Sequence, residues 1–111
     1  EANILRLPGQ LFEHKEGNII SNVFTYKLLN KTTKNIEDIH FKLKAPKGTI
    51  HTVKQGEIMV PAQDLAEGTL FIEINNSVLS GDKNRAVIEV YSGEKLIETT
   101  SVTFLGPRSY K

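Results

Sequence analysis

Residues 22–43 read NVFTYKLLNKTTKNIEDIHFKL. Asn22, Phe24, Tyr26 and Leu28 fall on one face of an extended chain, and Val23, Thr25 and Lys27 on the other. A period of two is that of a half-buried strand. The polar knot Asn30-Lys31-Thr32-Thr33-Lys34-Asn35 ends it. Alternation then resumes, with Ile39, Phe41 and Leu43 opposite Asp38, His40, Lys42 and Lys44. The stretch predicts two successive strands joined by a polar turn.

Outward from this pair, strand signals recur roughly every dozen residues, separated by turn residues. Ile4 to Leu7 stops at Pro8-Gly9, and Leu11 to His14 stops near Gly17-Asn18. Pro46-Lys47-Gly48 reads as a turn, followed by strands over 49–53 and 57–60. Residues 61–68 read as a loop with one helical turn at 63–66. Leu70, Ile72 and Ile74 alternate with Phe71, Glu73 and Asn75, and Ala86, Ile88 and Val90 with Val87, Glu89 and Tyr91. Leu79, in the connection between them, is expected to plug one end of the core. Ser92-Gly93-Glu94 signals a tight hairpin. The final Thr-rich strand, 96–105, requires one slip in its alternation. No segment carries a helical period over its length. The chain is therefore expected to be an all-β, immunoglobulin/fibronectin-type antiparallel β-sandwich of about seven strands. It forms one domain over 1–107, with a tail at 108–111.

Composition narrows the chemistry. The 111 residues are enough for one domain that buries roughly 65% of its unfolded surface. There is no cysteine, hence no disulfide, thiolate metal site or thiol nucleophile. The 14 basic and 13 acidic residues are interspersed, without the concentrated basic face of a nucleic-acid binder. The mild excess at Lys42, Lys44, Lys47 and Lys54 reads as a solvated edge strand guarded by lysines. No apolar run approaches the ~20 residues that span a bilayer, and no signal peptide is visible. The chain begins Glu1-Ala2-Asn3, almost inside an apolar run, and reads as a piece of a longer protein.

Candidate sites are few. His14, His40 and His51 lie on three segments with no ligand spacing, and Met59 is the sole methionine, so no metal site is assigned. Glu37-Asp38 and Asp64…Glu67 sit in or beside turns rather than as a buried acid–base pair. The serines lack a nucleophile motif, and Asp82 lacks a calcium-loop ladder. No catalytic or cofactor-binding residue is assigned. Asn30-Lys31-Thr32 and Asn75-Asn76-Ser77 are formal glycosylation sequons, read here as turn residues. Phe71 and Tyr91 fall opposite the core rows, and together would form an exposed contact patch. Asn22 falls on the inward row, where its amide needs partners. It is expected to tie down a neighbouring loop at Pro8-Gly9, while Asn30 caps the turn after its strand.

The order of motifs carries more. Gly17 to Thr32, with Asn22, Tyr26, Lys27 and Asn30-Lys31-Thr32, resembles the first long strand of the C-terminal domain of the FixG family of cytochrome oxidase accessory proteins. Arg6-Leu7-Pro8-Gly9-Gln10-Leu11-Phe12 resembles that domain's opening segment, and Thr103-Phe104-Leu105-Gly106-Pro107 its closing Phe-x-Gly-Pro. Residues 49–68 match no motif of the family. The resemblance implies an immunoglobulin-like module on the periplasmic side of the bacterial inner membrane. Its parent would be membrane-anchored, with 4Fe-4S clusters on a C-x2-C-x2-C-x3-C-P motif elsewhere. Such parents assist assembly of cbb-type cytochrome oxidases, by reducing copper before its insertion. With no cysteine, this chain would hold no cofactor and act through a protein partner: an oxidase subunit, a copper carrier or its own membrane part. It would reach the membrane through the parent only. The other reading is an unrelated immunoglobulin/fibronectin-like envelope module that binds a glycan or protein.

Overall fold

The computed structural model describes residues 1–7, 9 and 11–107. Two antiparallel sheets pack face to face. The first holds β1 (Ala2–Arg6), β3 (Ile19–Leu29), β7 (Leu65–Asn75) and β5 (Gly48–Thr52) in that order, with β2 (Glu13–Lys15) also on β3. The second runs β6 (Ile58–Val60), β4 (Ile36–Ala45), β8 (Lys83–Ser92) and β9 (Lys95–Leu105). The strands among the described residues number nine rather than about seven. Two that fall on the short signals at 11–14 and 57–60, β2 and β6, have three residues each.

The two alternating rows of residues 22–43 build the centre. Ile20, Asn22, Phe24, Tyr26 and Leu28 of β3 are all buried, as are Ile39 and Phe41 of β4. Leu70, Ile72 and Ile74 of β7 and Ala86, Ile88 and Val90 of β8 complete the core with Phe104. The Tyr26 and Phe41 rings meet across the sheets at 5.0 Å between centroids. Side chains at alternate positions point to one face, so each row buries itself against the other sheet while most of its neighbours keep contact with solvent.

Residues 61–68 differ from expectation. β7 already begins at Leu65, and Leu65 to Gly68 pair with Tyr26 to Leu29 of β3. Gly68 weakens this segment's strand pattern, but it faces Tyr26 directly in the register. A Cβ there would run into the Tyr26 phenol ring. The ring lies over the bare glycine and supplies the packing that the missing side chain cannot. That burial also pushes the Tyr26 hydroxyl pKa up from its ordinary value.

Three smaller expectations hold. Leu79 is partly buried against the core. The hairpin loop is Gly93-Glu94, between paired Ser92 and Lys95. The slip in the last strand is a register shift between Val90 and Tyr91, which leaves Ile97 unopposed. Lys42 and Lys44 need a correction of detail. β4 is not an outer strand, because β6 covers its start. But β6 pairs only as far as Ile39, so from His40 onward β4 has a strand partner on the β8 side alone. The lysines guard this half-edge. Pro8 and residues 108–111 lie outside the described residues, so neither the turn at Pro8 nor the tail is placed.

Candidate functional site

Asn22 sits on β3 with its side chain turned into the sandwich. Its Nδ2 donates to the Leu105 carbonyl at 2.9 Å, and the Leu105 N–H donates to its Oδ1 at 2.8 Å. One side-chain amide thus pairs with a peptide of β9 as a strand neighbour would, across from one sheet to the other. Asn22 therefore secures the end of β9, while Pro8, in the loop expected as its partner, lies outside the described residues. The next residue, Gly106, donates its N–H to the Asp82 carbonyl at 3.0 Å. A Cβ on Gly106 would come within 2.8 Å of Leu79 Cδ1. Gly106-Pro107 is thus a close-packed exit, with Leu79 closing the core beneath it.

Asn30, buried just past the end of β3, does more than cap a turn. Its Nδ2 lies within hydrogen-bond reach of the carbonyls of Lys34, Val60 and Pro61, at 2.7, 3.0 and 3.1 Å. Its Oδ1 accepts from the Thr32 N–H at 3.0 Å and the Thr32 hydroxyl at 2.6 Å. One amide gathers the 30–35 turn, the end of β6 and the segment leading into β7. In the second sequon, Asn75 Oδ1 accepts from the Ser77 N–H at 2.9 Å and caps the 3-10 turn Asn76–Val78.

The two aromatic candidates do not meet. Phe71 is on β7, on the outer face of the first sheet between Val23 and His51. Leu11 and Phe12 lie over the same hollow. Tyr91 is on β8, on the outer face of the second sheet. It stacks on His40, with centroids 5.6 Å apart and planes 7° from parallel. Lys42 Nζ lies 4.7 Å over the same ring, a cation–π contact. The Tyr91 hydroxyl donates to Glu89 at 3.3 Å. Partial desolvation and that carboxylate push its pKa up. Both residues alternate with core positions facing the shared interior, so their side chains point away from each other.

The outer faces also differ in charge. Across the first sheet, Lys15 meets Glu13 and Glu73, Lys27 meets Glu67, and His51 Nε2 is 3.6 Å from Glu73. On the second, Lys42, opposite Glu89, and Lys44 of β4 share the outer face with Arg85 and Lys83, which lie further along β8; all four are exposed and, among the described residues, none is within ion-pair distance of a carboxylate. Sequence reasoning found the first two and missed the second two. Only the β4–β8 pairing brings them onto one surface.

Among the described residues no catalytic arrangement emerges. An open cleft of about 550 Å³ runs along the half-edge of β4, lined by Asp38, His40, Phe41, Ile50 and Glu57 among others. The Asp38 N–H donates to Glu57 there at 2.9 Å. Among the described residues no group of three His, Cys, Asp or Glu could hold a metal ion. His14 packs edge-on to Phe12, far in sequence from the other two histidines. An iron–sulfur cluster is held by cysteine thiolates, and this chain has none, so its residues do not fit one.

No curated protein matches the chain. A crystal structure of a FixG-related protein from Vibrio parahaemolyticus is similar, with a TM-score of 0.65 and 17% identity. The match covers 95% of this chain and 94% of that one, and it supports the fold alone. The family described as "IG-like fold at C-terminal of FixG, putative oxidoreductase" matches residues 1–107. By that match, over nearly its whole length, the chain belongs to the FixG C-terminal immunoglobulin-like domain family.

Proposed function

We propose that the chain is the non-catalytic module of a membrane-anchored, iron–sulfur FixG-type parent on the periplasmic side of the bacterial inner membrane. It docks to or braces a protein partner while the parent assists copper-dependent assembly of a cbb-type cytochrome oxidase. The partner is an oxidase subunit, a copper carrier or the parent's own membrane part. The family match over residues 1–107 carries this reading. The residues agree with it: electron transfer through iron–sulfur clusters needs thiolates, which would have to come from elsewhere in the parent. A sugar-binding aromatic platform has less support, since Phe71 and Tyr91 point away from each other on different sheets.

The test is deletion of this domain from the full-length parent in its native host. Cluster content of the purified parent and cbb-type oxidase activity of the membranes are then measured. Intact clusters with reduced oxidase activity are expected. Unchanged oxidase activity would overturn the docking role, and loss of the clusters would reassign the domain to folding of the redox part.

A further inference from the structure

We infer that the basic half of the second sheet's outer face, built from Lys42, Lys44, Lys83 and Arg85, adsorbs to an anionic lipid surface. The argument starts from pairing. The first sheet's Lys27 faces Glu67 on the neighbouring strand and Lys15 reaches Glu73 across β3, and such pairs cancel charge locally. Among the described residues the second sheet's four cations have none within ion-pair distance, although Lys42 faces Glu89 in the register. The nearest carboxylate on the face is Glu89, opposite Lys42 and held by the Tyr91 hydroxyl. It is four residues from Arg85, about 13 Å along the strand. Of the other acids near this sheet, Glu37, Asp38, Glu94 and Glu98 lie toward the opposite end, by the Gly93 hairpin, with Glu98 turned inward onto the Ala2 N–H, while Asp82 precedes Lys83 at the near end. Each cation therefore lies within roughly a Debye length of the next along the face, Lys42 to Lys44, Lys44 to Arg85 and Arg85 to Lys83, and together they raise one elongated positive potential.

What the face lacks chooses the occupant. Protein interfaces centre on buried aromatic or arginine anchors and are depleted in lysine. Here the exposed large apolar side chains, Met59, Leu96 and Ile97, lie on the outer strands β6 and β9. Tyr91 is already covered by Lys42 and His40. Beside Arg85 stand small hydroxyl residues, Ser101 and Thr103, in a shallow open hollow. A flat, lysine-rich, hydroxyl-lined surface with no anchor suits a diffuse carpet of phosphate headgroups, where each cation contributes separately. This inference rests on charge placement and not on family membership.

The chain is sedimented with vesicles of phosphatidylcholine mixed with phosphatidylglycerol, and with phosphatidylcholine alone. Binding to the anionic vesicles is expected, lost as salt is raised. Lys83→Gln with Arg85→Gln should weaken partitioning by about fivefold per cation removed. Lys15→Gln with Lys27→Gln removes the same charge from the other face and should change it less than twofold. Equal losses from the two double variants would overturn the assignment of the face, leaving only net charge. Equal binding to neutral vesicles would overturn the electrostatic basis. Retention on polyglutamate beads without binding to any vesicle would overturn the lipid surface in favour of an acidic protein.

Discussion

β3 carries a buried asparagine near each end, and the two are used in opposite ways. Asn22 makes two hydrogen bonds, both to one residue 83 positions away in the other sheet. Asn30 gathers five contacts, all within 31 positions, from the turn that follows it, the last residue of β6 and the start of the segment leading into β7. About 26 Å of strand separates them. The first is a long-range fastening between finished elements, and the second organises irregular chain. A buried amide can thus act as a missing strand or as a missing turn, depending on what is left unsatisfied around it.

Substitutions can break this contrast. The largest effect is expected at Asn30. Asn30→Ala strands several buried groups and should cost about 3–4 kcal/mol by urea unfolding. Asn30→Asp should cost at least as much at neutral pH, because three carbonyl oxygens would face a carboxylate. Burial there raises the folded-state pKa of the new acid, so the neutral form is favoured on folding. Stability should therefore recover as pH falls through that raised value, and be complete below about 4, the ordinary Asp value. A flat pH profile would show that the knot had rearranged.

Asn22→Ala should cost about 2–3 kcal/mol, since both the N–H and the carbonyl of Leu105 lose their partner. No measurable loss would remove Asn22 from the account. The contacts also separate kinetically. A bond spanning 83 positions pays its loop-closure entropy late, so Asn22→Ala should act mainly on the unfolding rate. The local knot at Asn30 should slow folding as well, which a chevron measurement would read.

Gly106→Ala should cost about 1 kcal/mol, as Leu79 must give way. It acts on the same exit as Asn22, so the two should be non-additive, whereas Gly106→Ala and Asn30→Ala should add within about 0.5 kcal/mol. Smallest is Thr32→Val, which removes one hydroxyl donor to Asn30 at an exposed turn and should cost about 0.5–1 kcal/mol.

The strands around residues 22–43 were legible because their period of two is enforced by burial on one face. Asn22 was recognisable as a buried polar position for the same reason. Its partner was not, because Leu105 is joined to it only by the way two sheets stack. Residues 65–68 were misread as loop, since the missing packing at Gly68 is supplied by a ring on another strand. The candidate surface divided likewise. Lys42 and Lys44 stood out as neighbours in sequence, while Lys83 and Arg85 joined them only through the β4–β8 pairing. Phe71 and Tyr91 were correctly turned outward, but alternation cannot say which sheet a strand enters.

The fastening at Leu105 has a mechanical consequence. Ala2 donates its N–H to Glu98 near the start of β9, while Asn22, next to the far end of β1, holds the last residue of β9. The first and last strands therefore run side by side in the same direction. Tension applied between Glu1 and Pro107 would pull along the strands, loading their rungs together in shear rather than one after another. The Asn22 amide sits where that load enters the sandwich. A domain strung this way is expected to resist being drawn out from its ends, with the Asn22 amide among the contacts that the load meets first.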